Sequence, residues 1–86
     1  MQHHAGRDWL ERLDGTLDCF LPHGLHCVLE PPSGDRVVWW TLTPIRMADR
    51  TGDALSVPQA ASLALGEADK VLSLLAARDE NQGMVS

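Results

Sequence analysis

The chain has 86 residues, 44% of them hydrophobic and 22% charged, with a formal net charge of −5. That balance suits one small folded unit around a single core and excludes a disordered polyelectrolyte. It also excludes direct nucleic-acid binding through a basic face: residues 1–30 are acidic overall, and no later run is basic.

The start shows no charged segment leading into an apolar one of the secretory type. The longest apolar stretch, residues 60–77, is broken by Ser62, Gly66, Glu67, Asp69, Lys70 and Ser73, so no bilayer span is expected. The expected compartment is the cytoplasm, with Cys19 and Cys27 reduced.

Residues 1–6 read as a flexible start. Asp8–Leu21 then reads as a helix. Asp8 and Glu11 fit a capping box, and Trp9, Leu10, Leu13, Leu17, Phe20 and Leu21 recur at helical spacing. Asp8, Glu11, Asp14 and Asp18 fall on the opposite side as an acidic face. Gly15 weakens this helix, and Pro22-His23-Gly24 ends it.

Leu25–Glu30 and Arg36–Thr43 read as two strands joined by Pro31-Pro32-Ser33-Gly34-Asp35. A five-residue loop pairs Glu30 with Arg36 and Val28 with Val38. One face then holds Val28, Val38, Trp40 and Leu42, and the other holds Cys27, Leu29, Val37 and Trp39. A one-residue change in the loop re-pairs these faces. In either register Trp39 and Trp40 point to opposite sides. Ile45–Leu55 reads as a connection, with room for a short third strand at Ile45–Met47.

Ser56–Arg78 is the clearest element. Ser56 and Gln59 form a capping box, Pro58 sits in the first turn, and Ala61, Ala64, Leu65, Ala68, Leu72 and Leu75 share one face. Leu63 and Leu74 lie to the side of that stripe. Residues 79–86 read as a flexible polar tail. The expected fold is therefore α+β, one domain over residues 1–86 arranged helix–β-hairpin–helix, with both helices on one face of a small antiparallel sheet.

Three readings of function follow. Cys19, His23, His26 and Cys27 are suitable zinc-ligand types close in sequence, but neighbours in a strand point apart, so a metal or thiol site is the lesser expectation. The acidic face of Asp8, Glu11, Asp14 and Asp18 admits nucleic-acid mimicry, against which local pairing with Arg7 and Arg12 counts. No catalytic motif is present, and neither a cofactor nor enzymatic activity is expected. The leading expectation is a non-enzymatic protein-interaction module, a small accessory or inhibitor protein of the kind found in bacteria and phages. It would bind a protein partner or itself as a homodimer through Trp40, Val38, Val28 and Leu42, since exposed aromatic patches mark interfaces.

Overall fold

The structure, a computed structural model, describes residues 1–30, 37–44 and 47–85. The fold is α+β. Among these residues six strands form one antiparallel sheet in sequence order: β1 (Gln2–His4), β2 (Arg7–Glu11), β3 (Leu17–Phe20), β4 (His26–Glu30), β5 (Val38–Thr43) and β6 (Arg50–Ala54). One helix, α1 (Val57–Val85), follows them. The helix–hairpin–helix arrangement is thereby corrected: residues 8–21 form parts of two strands and a turn. Residues 1–6, read as a flexible start, carry β1.

The turn chemistry explains the correction. Ala5 and Gly6 both have positive φ, 53° and 79°, as a two-residue hairpin between β1 and β2 requires. Between β2 and β3, Leu13-Asp14-Gly15 is a three-residue loop closed by Arg12 N–H donating to Thr16 O at 2.8 Å. Gly15 takes φ 90°, and Asp14 Oδ1 accepts the Thr16 N–H at 2.9 Å. Hydrogen bonds from the Thr16 amide and hydroxyl hold the Asp14 carboxyl below its ordinary range. Between β3 and β4, Pro22–Gly24 makes one 3-10 turn, with Leu21 N–H donating to Leu25 O at 2.9 Å.

Strand alternation then sorts the side chains. Trp9, Leu17, Cys19, Leu21, Leu25, Cys27, Leu29, Val38, Trp40, Leu42 and Ala54 point inward and are buried. The β4–β5 register pairs Val28 with Thr41, Leu29 with Trp40 and Glu30 with Trp39. This is an odd shift from the pairing expected above, so it exchanges the faces of one strand relative to the other. The loop assigned to Pro31–Asp35, the strand start at Arg36 and the third strand proposed from Ile45 fall wholly or partly outside the described residues.

α1 starts as the sequence indicates. Gln59 N–H donates to Ser56 Oγ at 3.3 Å, and Gln59 Oε1 accepts the Leu55 N–H at 3.0 Å. Its inner face is a seam of Ala60, Ala61, Ala64 and Ala68 ending at Val71, each at most 1% exposed. Short side chains let the helix axis sit close to the large residues of the sheet. Leu65, Leu72 and Leu75 pack at the margin of the same core. The helix lies against β4, β5, β6 and, on its far side, β1. Trp9 seals that side: it is fully buried, and its indole N–H donates to His4 O at 3.1 Å. Arg50 ties β6 to the helix by donating to Glu67 Oε2 at 2.7 Å, while Lys70 donates to Glu67 Oε1 at 3.0 Å. These bonds, Arg50's foremost, hold the Glu67 carboxyl below its ordinary range. Among the described residues no helix is long and apolar enough to cross a membrane.

Gly52 is a point of close approach on the inner face. It stands opposite Trp40, whose indole occupies the space a side chain at position 52 would need. A Cβ at position 52 would come within 2.7 Å of ring atoms Cε2, Cζ2 and Nε1. We expect Gly52→Ala to force the buried indole aside and to lower stability by about 1–3 kcal/mol. Urea denaturation measures this, and an unchanged midpoint would show that the ring has room to move.

Candidate interaction surface

Because α1 occupies only the inner side of the sheet, the outer side carries the alternate residues of every strand. Pairing sets them in rows. Glu30, Trp39 and Asp53 are cross-strand neighbours. Leu10, Asp18, Val28, Thr41 and Thr51 form the next row, and Phe20, His26 and Thr43 the one after it. Trp39, Val28 and Phe20 thus lie on a diagonal across three strands. Two steps of two residues by one strand give it a length of about 17 Å. Phe20 is 66% exposed, Leu10 49% and Trp39 41%, with Val28 half-buried between them.

At the centre of this face is a carboxylate that water barely reaches: Asp18 is 5% exposed. Arg12, at the end of β2, folds over it as a two-pronged donor. Its Nε donates to Asp18 Oδ2, and its Nη2 donates to Oδ1 at 2.7 Å. His26, on the neighbouring strand, donates from Nε2 to the same Oδ1 at 2.7 Å. The His26 ring is itself stacked on Phe20, with centroids 4.5 Å apart and planes 5° from parallel. A bidentate guanidinium–carboxylate pair with a third donor satisfies a buried charge that would otherwise be costly. The central charge of the face is thus cancelled from within the chain.

This arrangement revises each site expectation. Of the four residues assigned to a docking patch, Trp40, Val38 and Leu42 are in the core, and only Val28 is on the outer face. The face shift in the β4–β5 register is the reason, and Trp39 takes the place given to Trp40. The acidic helix face of Asp8, Glu11, Asp14 and Asp18 does not form, because the helix does not. Asp8 is bonded to His3 at 2.9 Å, Asp14 caps a turn, and Asp18 is buried in its ion pair. Leu10, Phe20 and the Arg12–Asp18–His26 cluster escaped the sequence reading. The signal for them was the alternation Leu17-Asp18-Cys19-Phe20 beyond the turn pair Asp14-Gly15.

Cys19 and Cys27 are directly opposite each other on β3 and β4, both buried on the inner side, and both thiols are free. His26 points outward and His23 sits in the turn, so the four residues do not converge on one point. Among the described residues no cluster of three or more His, Cys, Asp or Glu side chains is placed to hold a metal ion. Burial pushes the Cys27 thiol up to about 12, with a further contribution from Cys19, and burial also raises Cys19. A raised thiol favours the folded state fully below the ordinary thiol range, and the contribution is lost as pH rises toward about 12. We therefore expect stability under reducing conditions to fall progressively above about pH 8.5. Cys27→Ala should flatten that slope in denaturation curves taken at neutral and alkaline pH. An identical slope in the variant would remove Cys27 as its source.

Comparison with known protein families, with curated proteins and with solved structures finds no match.

Proposed function

We propose that the chain is a non-enzymatic protein-interaction module whose docking surface is the outer face of the sheet. The observation that supports this most is the diagonal of Trp39, Val28 and Phe20, with Leu10 beside it, on a sheet face turned away from α1. Large aromatic side chains, with few rotatable bonds, presented on interior strands of a sheet lose little conformational freedom when a partner covers them. The internally neutralised Asp18 has the same effect, since the partner need not supply a cation at the centre of the contact. The Asp18–His26 pair has the form of an oriented base, but the two thiols lie on the other side of the sheet, beyond its reach.

The test is position-specific photocrosslinking in living cells. A photoreactive phenylalanine analogue replaces Phe20 or Trp39 on the outer face and, as controls, Ser62 or Ser73 on the exposed side of α1. Adducts to protein are expected from positions 20 and 39 and not from 62 and 73. Adducts from the helix positions alone, or from neither set, would overturn the assignment.

A further inference from the structure

The charges around the apolar diagonal carry the proposed function one step further, to the chemistry of the partner. This step rests on the outer face being the docking surface. Trp39 is bracketed by two carboxylates, Glu30 on β4 and Asp53 on β6, each its direct cross-strand neighbour and each exposed. Asp8, also exposed and hydrogen-bonded to His3, is two residues before Leu10 on the same side of β2. Arg12 and Asp18 cancel each other. Among the described residues the charged rim of this face is therefore acidic, around a centre that is apolar and neutral.

We infer that the occupant is a basic amphipathic segment of another protein, a helix whose apolar stripe lies along the Trp39–Val28–Phe20 diagonal with lysine or arginine on its flanks. The diagonal of about 17 Å corresponds to roughly three helical turns. A stripe of that length places cationic side chains on either side of Trp39, within reach of Glu30 and Asp53. A second copy of the chain fits less well. Face-to-face stacking brings the acidic rim of one copy toward the acidic rim of the other, and like charges across an interface oppose association. The acidic rim disfavours nucleic acid and anionic lipid for the same reason.

The experiment uses the full chain and two short helical peptides with one leucine stripe, one flanked by lysines and the other by glutamates. Tryptophan fluorescence and heteronuclear NMR follow the titrations. The lysine peptide should bind about tenfold more tightly than the glutamate peptide, lose that advantage as salt is raised, and perturb the resonances of Phe20, Val28 and Trp39. The double variant E30K/D53K changes two exposed residues and should reverse the ranking. Phe20→Asp should abolish binding of both peptides, and amide spectra confirm that each variant is folded. Equal affinity for the two peptides would overturn the basic partner and leave the docking face in place. Binding of neither would overturn the inference made here, while the photocrosslinks judge the face independently. A dimer in light scattering that Phe20→Asp dissociates would make the second copy the occupant and would likewise overturn it.

Discussion

Replacing Trp9 with alanine should lower the free energy of unfolding by about 3–5 kcal/mol, whereas Leu10→Ala should cost less than about 1 kcal/mol. The two residues are adjacent, and both belong to the apolar stripe of the helix that the sequence suggests. On that helix, truncating either would open the core. In the sheet they are on opposite sides. Trp9 is fully buried against the side of α1 that β1 flanks, and Leu10 is 49% exposed on the outer face. Removing the indole leaves a cavity among residues anchored by the helix and removes the side-chain hydrogen bond to His4 O. A domain of this size has a total stability of only about 5–15 kcal/mol, so Trp9→Ala removes a large share of it. Urea denaturation of the two variants in parallel decides the matter. Comparable losses at both positions would contradict the alternation of β2.

The second large effect concerns Arg12. Arg12→Ala leaves the Asp18 carboxylate under the outer face with His26 as its remaining side-chain donor. Breaking a buried pair by removing one member costs about 3–5 kcal/mol. Arg12 is itself half exposed, which brings the expected loss below that range, to about 2–3 kcal/mol. Asp18→Asn in the same chain removes the stranded charge, so the double variant should be more stable than Arg12→Ala alone. Such non-additivity is the signature of a direct pair, and a double-mutant cycle measures it. Additive losses would mean that the two side chains contribute separately. Asp14→Ala is a useful contrast: its carboxylate is exposed at a turn, and the loss is limited to the turn-capping hydrogen bonds from the Thr16 amide and hydroxyl.

The legible and illegible parts of the fold divide by physical cause. α1 declared itself because its cap, its proline in the first turn and its alanine seam all indicate one structure over a long stretch. The β4 and β5 segments were legible as strands for the same reason. Residues 8–21 were not, because Trp9, Leu10, Leu13, Leu17, Phe20 and Leu21 satisfy helical spacing and strand alternation at once. Asp14-Gly15 was the discriminating signal: a glycine that costs a helix about 1 kcal/mol is the residue a hairpin with a positive-φ position calls for. β6 was hidden by Thr51-Gly52-Asp53, which has turn composition, and only the presence of Trp40 across from Gly52 explains a glycine there. The candidate site followed the register. Whether Trp39 or Trp40 faced outward depended on the pairing of β4 with β5, and local composition does not encode that offset.

Every strand in the meander pairs with the strand before or after it in the chain. The loop-closure cost of each pairing is therefore small, and an order of events is built into the connectivity. Hairpins can zip in sequence as the chain is synthesised, from β1 toward β6, with no distant segment to wait for. The helix comes after all of them. Until residues 57–71 have followed the sheet, Trp9, Leu29 and Leu42 have no cover on their inner side. Completion of the helix is thus the step that turns a sticky, two-faced ribbon into a protein with one apolar face sealed and only the other exposed.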